Sequence, residues 1–193
     1  MKKGYSLAEL VVVLTIVGLM CGVAVPAFTT YWVKRTALEA TVRDMNAALR
    51  EARQEAIREN AYVGLKFQPS ADGRLLWRKY LDGNGNGVLT ADINSGKDKP
   101  MGGSRQIILP GGNIRLGIMD PKIKDESSGD PLGTDPVKFG NSNICSFSPL
   151  GVSSPGSLYF TDGIKVQGAV RVYGGSARCR VVRYWPGAGW KEW

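Results

Sequence analysis

The stretch KKGYSLAELVVVLTIVGLMCGVAVPAF, residues 2–28, decides the fold. From Leu10 to Phe28 it runs 19 residues without an Asp, Glu, Lys or Arg. A helix of about 20 apolar residues spans a bilayer core, so the segment is long enough to cross one. Lys2 and Lys3 stand before it, and the excess of basic residues puts this end on the cytoplasmic side and sends the bulk of the chain outward. A secretory signal peptide would begin in the same way, but it explains neither Glu9 nor the missing cleavage boundary after the apolar run. A lipoprotein signal fits poorly because Met20, not a small residue, precedes Cys21, and Cys21 itself reads as a small buried hydrophobe. Glu9 is the anomaly. A carboxylate costs roughly 2.5–3.5 kcal/mol toward the bilayer centre, so it requires a cationic partner.

Working outward, polar residues appear past Pro26 while the helical period persists. Leu38, Val42, Met45, Leu49, Ala52 and Ala56 follow one another at steps of 4, 3, 4, 3 and 4. One face is therefore apolar. The other carries Lys34, Arg35, Arg43, Arg50, Arg53 and Arg58 among Glu39, Glu51, Glu55 and Glu59, an ordinary solvated mixture with several i,i+4 pairs. The pattern predicts one helix from Tyr5 to about Asn60, on the order of 80 Å long at 1.5 Å per residue. A kink or break is expected at Pro26, with Gly18 and Gly22 as further weak points.

Beyond Asn60 the period falls to two. Val63, Leu65 and Phe67 alternate with polar or small residues, and Val170 and Val172 alternate with Arg171 and Tyr173. Further strands are expected over 74–81, 106–109, 113–118, 144–147, 157–161 and 178–184, with 120–143 as a long polar loop. Antiparallel strands packed on the second half of the helix give an α+β fold: a long N-terminal helix on a β-sheet head domain.

Composition narrows the function classes. The 193 residues, 43% hydrophobic, suffice for one domain with a core. The chain has no histidine, which removes Ser-His-Asp triads, Cys-His dyads and His-ligated zinc. No enzyme is expected. The excess of 25 Lys and Arg over 17 Asp and Glu, a net +8, favours nucleic acid, anionic lipid or an acidic protein surface as partner. Three cysteines without a CxxC spacing make neither a zinc ribbon nor a thioredoxin motif.

The tract Gly4-Tyr5-Ser6-Leu7-Ala8-Glu9, with Val11-Val12-Val13-Leu14, Gly18 and Pro26 in the apolar helix behind it, closely resembles the class III signal of type IV prepilins and pseudopilins. The resemblance implies that a prepilin peptidase cuts after Gly4 and that Tyr5, in place of the usual phenylalanine, is N-methylated. It also implies that Glu9 neutralises the terminal amine of an adjoining subunit during assembly, with Pro26 letting the helix bend. Residues 1–4 are then a cleaved leader, 5–28 the transmembrane and filament-core helix, 29–60 its amphipathic second half and 61–193 the head. Two further stretches, Leu49 to Asn60 and Ile144 to Tyr159, are similar to the GspH/FimT branch, which contains type II secretion pseudopilins and minor type IV pilins that initiate or cap filaments. The implied partners are other pilins or pseudopilins, the peptidase and an inner-membrane assembly platform. The implied location is the inner membrane, single-pass with a periplasmic head, before insertion into a pilus or pseudopilus.

Three motifs remain. Asp82-Gly83-Asn84-Gly85-Asn86-Gly87 places oxygen side chains at alternate positions before a glycine, as the first half of an EF-hand loop does, and Asp92 sits one place short of the usual twelfth-position acid. Read as a calcium loop, its ligands are Asp82, Asn84, Asn86 and Asp92; read otherwise, it is an Asn-Gly turn between strands. Calcium is thus the one cofactor in view. Arg171, Arg178, Arg180 and Arg183, interleaved with Tyr173, Tyr184, Trp185 and Trp190, combine phosphate-pairing cations with stacking rings. Some FimT-like minor pilins are DNA receptors acting through a basic C-terminal segment, so the resemblance implies DNA as a partner here; the alternative is a basic edge strand that resists aggregation. Cys145 and Cys179 are the candidate disulfide between two head strands, a bond worth roughly 3–4 kcal/mol for a loop of about 35 residues.

Overall fold

The computed structural model describes residues 6–107 and 114–193, with the backbone alone described over 23–32. Gly4 and Tyr5 lie outside the described residues. Pro26 falls in the stretch described by its backbone alone.

Helix α1 spans Leu7–Glu59. It starts where Ser6 supplies an N-cap and stops where Asn60 turns into the left-handed region at φ 48°, its N–H reaching back to the carbonyls of Ala56 and Ile57. Of the kink or break expected at Pro26, the break is not there: α1 is continuous through positions 18, 22 and 26. A proline removes one hydrogen bond from the ladder, while the turns on either side continue to propagate it.

The two halves of α1 live in different surroundings. Every side chain from Ser6 to Gly22 is exposed, Cys21 included, so Cys21 is not buried; no part of the head reaches this half. No helix among the described residues is long and apolar enough to cross a membrane. The described side chains of the apolar run end at Gly22, and its continuation to Phe28 falls within 23–32. In the second half Leu38, Val42, Met45, Leu49, Ala52 and Ala56 are almost wholly buried, as their period predicts, and Ala37, Thr41 and Ala48 complete the same face.

That face packs on two antiparallel sheets. The first contains β1 (Val63–Pro69), β2 (Leu75–Leu81), β3 (Lys99–Gln106) and β6 (Ile144–Phe147) in the order β3-β2-β1-β6. The second contains β4 (Arg115–Leu116), β7 (Gly156–Thr161), β8 (Gln167–Tyr173), β9 (Arg178–Trp185) and β10 (Gly189–Glu192) in the order β10-β9-β8-β7-β4, with β5 (Val137–Lys138) also pairing β7. A short helix α2 (Thr90–Ser95) sits between β2 and β3. One core joins α1 to both sheets through Leu65, Phe67, Phe147, Leu158, Phe160 and Val170. Gly168 on β8 makes the closest approach possible, since a Cβ there would lie 3.2 Å from Val42 and 3.4 Å from Leu38.

Several sequence expectations shift. Of the strand expected over 106–109, positions 108–109 lie outside the described residues, and Gln106 ends β3; apart from Pro100 and the half-buried Met101 its residues are polar or glycine, and all but Met101 are exposed, so hydrophobic alternation could not reveal it. The strand expected over 113–118 shrinks to Arg115–Leu116. The polar loop 120–143 is tied down: Lys124 bridges Pro131, Val137 pairs Leu158, and Ile123 and Leu132 are buried on the outer face of the second sheet beside Tyr159, Ala169 and Val182.

Candidate functional site

The apolar first half of α1 begins with a capping box. Ser6 Oγ accepts from the Ala8 N–H at 3.2 Å, and Glu9 Oε2 accepts from the Ser6 N–H at 2.9 Å. Two N–H groups at the helix start are thus satisfied by side chains, and the carboxylate stands in the first turn, where the helix dipole favours negative charge. The signature Ser6-Leu7-Ala8-Glu9 is the S-x-x-E of a capping box, so this role was readable in the sequence although the anomaly of charge drew attention first. Behind Glu9 the exposed side chains are Leu10, Val11, Val12, Val13, Leu14, Ile16, Val17, Leu19 and Met20. A helix apolar all round is stable only when something apolar covers it.

The second half of α1 is locked to the head by ion pairs as well as apolar contact. Lys34 Nζ lies 3.2 Å from Asp162 Oδ2, in the turn between β7 and β8. Burial alone would raise the Asp162 pKa, but the N–H groups of Lys165, Ile164 and Val166 and the Lys34 ammonium outweigh it and hold the carboxyl below its ordinary value. Farther along α1, on the side of the first sheet, Lys79 on β2 donates to Glu51 at 2.8 Å and Glu55 at 2.7 Å. Burial works against the Lys79 ammonium, and the two carboxylates overcome it and raise its pKa.

Asp82, Asn84, Asn86 and Asp92 are brought together. Asp82 Oδ1 accepts from the N–H groups of Asn84 and Gly85, both at 2.9 Å, and its Oδ2 accepts from Gly87 at 2.7 Å. Asp92 Oδ2 accepts from the side-chain amides of Asn84 at 3.3 Å and Asn86 at 2.9 Å, and those amides hold its pKa down. Sequence reading missed Asp98, which is 1% exposed and closes the loop by accepting from Gly83 and Leu89. Gly83 is required there, because a Cβ would run into the Lys97 carbonyl oxygen. Among the described residues no group of three or more His, Cys, Asp or Glu is placed to hold a metal by itself.

The four C-terminal arginines do not share one exposed face. Arg171 is buried on the outer face of the second sheet, where it pairs with Asp125 at 2.7 Å and lies 3.4 Å from the Tyr159 hydroxyl. Tyr159 in turn donates to Asp125 at 2.6 Å. Burial and the Asp125 charge push the Tyr159 phenol up to about 12. Arg183, 3% exposed, projects to the opposite side of β9 and stacks on Trp185 at 3.9 Å and Trp193 at 5.5 Å. Only Arg178 and Arg180 reach outward together, and Glu192 pairs with both, at 3.7 and 2.7 Å. Strand β10 covers β9 only from Val182 to Trp185, with the Trp193 N–H reaching the Val181 carbonyl, so the stretch that carries Arg178 and Arg180 stays at the edge of the sheet. The register sets Arg180 directly across from Arg171 on the outer face, where burial removes Arg171, and alternation along β9 puts Arg183 on the other face, so the basic stretch that remains accessible is Arg178 and Arg180 alone.

Cys145 and Cys179 are free, buried thiols and not a disulfide. Each Sγ faces a backbone carbonyl, Ser154 at 3.8 Å and Ala177 at 3.9 Å, and the two cysteines belong to different sheets. Burial pushes the Cys179 thiol up to about 11 against the opposing pull of Arg50 and Arg53, and raises that of Cys145 also.

The family profile of type II transport protein GspH matches residues 41–184, from the buried half of α1 through β9. Pilin-like protein PilA1 of Thermus thermophilus is 40% identical over 86 residues, 44% of this chain and 51% of that protein, so the match spans about half of its length. Type IV major pilin protein PilE1 of Neisseria gonorrhoeae is 26% identical over 162 residues, covering 75% of this chain and 85% of that protein. Type IV major pilin protein PilE of the same organism is 29% identical over 106 residues, 49% of this chain and 58% of that protein. No solved structure matches the chain significantly.

Proposed function

The chain belongs to the GspH family of the type IV pilin and pseudopilin superfamily, and on that premise we propose that it is a non-enzymatic minor pilin or pseudopilin, a structural or initiating subunit of a type IV pilus or type II secretion pseudopilus. The observation that carries this reading is the division of α1: a buried half fastened to a folded head, and an exposed half of unbroken apolar surface opened by Glu9. Such a half finds its apolar surroundings first in the inner membrane and then among the equivalent helices of other subunits. In this reading a prepilin peptidase cuts after Gly4, Tyr5 is methylated, the head is periplasmic, and Glu9 receives the terminal amine of a neighbouring subunit.

The test is a Glu9 series expressed with the assembly machinery. Glu9→Gln keeps an acceptor for the Ser6 N–H and removes the charge, whereas Glu9→Ala removes both. Both variants should be cleaved normally, as seen by mass, and both should be depleted from sheared filaments by more than about tenfold. Wild-type incorporation of Glu9→Gln would reduce Glu9 to a helix cap and sink the assembly role.

A further inference from the structure

Two turns of the second sheet point toward the apolar half of α1. Strand β8 starts beside Leu38 and Val42, where Gly168 packs, and the turn before it lies farther toward the helix N-terminus, because Lys34 meets Asp162 there at 3.2 Å. Strand β9 descends the other way, from Cys179, whose thiol feels Arg50 and Arg53, to Trp185, whose ring centroid lies 5.7 Å from Arg35 Cζ. The turns 162–166, between β7 and β8, and 186–188, between β9 and β10, therefore share the end of the head from which the apolar run emerges. Lys34 is six residues, about 9 Å, along the helix from Phe28, where that run stops.

The first turn is fixed, and it presents an apolar tip. Asp162 Oδ1 accepts from the N–H groups of Ile164, Lys165 and Val166 at 2.9, 2.8 and 3.1 Å, and Thr161 Oγ1 accepts from the Gly163 N–H at 2.9 Å. Ile164 at the tip is 68% exposed, and Lys165 beside it is exposed. The exposed Arg115 lies against the same turn, since a Cβ on Gly163 would come within 2.6 Å of its Nη2. Asp162 is the one acid in either turn, and Lys34 already neutralises it. What faces outward is an isoleucine between two basic side chains.

We propose that these two turns form a docking surface for the anionic phospholipid headgroups of the membrane that holds the apolar half of α1, so that the head rests on the bilayer at a fixed tilt. The inference rests on the reading of that half as a bilayer span. Basic side chains are drawn to an anionic bilayer over about one Debye length, roughly 10 Å at 0.1 M salt, which is the height that Lys34 sets for the first turn. Ile164 enters the boundary between headgroups and acyl chains, and the half-exposed Trp185 ring suits the headgroup level. The far end of the head is out of reach: Leu150, 91% exposed, adjoins Gly151 beside Arg53, about 30 Å farther along α1.

The experiment labels the full-length chain with an environment-sensitive maleimide fluorophore at Ile164→Cys or, for reference, at Leu150→Cys, on a Cys21→Ser background in which Cys145 and Cys179 are buried. Each protein is reconstituted into vesicles of phosphatidylcholine, alone or mixed with phosphatidylglycerol, and the vesicles are floated to confirm insertion. In the mixed vesicles the label at position 164 should shift to shorter wavelength and be quenched by nitroxide lipids, the label at position 150 should do neither, and sodium chloride should weaken the effect. Lys165→Gln combined with Arg115→Gln, both at exposed positions, should lower the docked-to-undocked ratio about tenfold or more. A label at position 164 as water-exposed as that at position 150, in vesicles that carry the protein, overturns the proposal. Equal docking on phosphatidylcholine alone overturns the choice of an anionic surface. A chain that fails to float with vesicles overturns the span reading and this inference with it, so the two failures are told apart.

Discussion

The two halves of α1 are one continuous helix with opposite fates. Residues 7–22 put Leu, Val and Ile on every side and bury none of them, whereas residues 37–56 put Leu, Met, Val and Ala on one side and bury all of those. The difference teaches that the period of the apolar residues, not their number, decides whether a helix is covered by its own chain. A one-sided stripe matches a sheet face and is satisfied within the molecule. An all-round apolar surface has no complement in a single head domain, so its cover must come from outside.

Four predictions press on this contrast. The largest effect is expected from Leu49→Ala, which should destabilise the head by about 2–5 kcal/mol in denaturant unfolding, while Leu14→Ala should leave that transition within about 0.5 kcal/mol. Equal losses would mean that the halves are not energetically distinct. Next comes the pair Gly168→Ala and Gly18→Ala. The first forces a methyl against Val42 and Leu38 and should cost about 1–3 kcal/mol. The second meets nothing within 4 Å and should raise helix stability by about 0.5–1 kcal/mol.

A smaller effect separates the seams by pH. Asp162 and Asp125 have folded-state pKa values held below the ordinary 3.8, so the unfolded chain binds protons more readily than the folded one. Their contribution is fully present above that value and is lost as pH falls through it toward the folded pKa. Thermal unfolding of the head should therefore be flat near neutrality and fall below about pH 4, with Lys34→Gln shallowing the fall. A melting temperature independent of acid would remove the ion-pair account of the Lys34 clip. The smallest perturbation is chemical. Maleimide labelling at pH 7 should modify Cys21 alone in the folded protein and reach Cys145 and Cys179 only on unfolding, since both are buried and Cys179 is pushed up to about 11. Rapid labelling of all three would contradict the packed core beneath α1.

Much of this architecture was legible because it rests on local periodicity. The steps of 4 and 3 from Leu38 to Ala56 name the buried helix face residue by residue, and the alternation at Val63, Leu65 and Phe67 names β1. The expected strand at 144–147 coincides with β6 for the same reason. Strands β3 and β10 escaped because they are exposed edges held by backbone pairing, which leaves little imprint on side-chain pattern. The arginines of β9 misled because a sequence lists neighbours on both faces of a strand together. Parity separates Arg183 from Arg178 and Arg180, but only the second sheet's outer cluster, with Asp125 brought in from a distant loop, shows that Arg171 is consumed by an internal ion pair.

The sequence by itself determined that the chain opens with an apolar helix marked by Glu9, continues as an amphipathic one and ends in an antiparallel head, because these follow from hydrophobic spacing within a few turns or a single strand. The tertiary structure alone decided which charges meet. It gave Lys34 to Asp162 and Arg171 to Asp125, and it set Cys145 and Cys179 as free thiols on strands of different sheets. Those two ion pairs join residues 128 and 46 positions apart, and no local period carries information about which distant partner a charge will find.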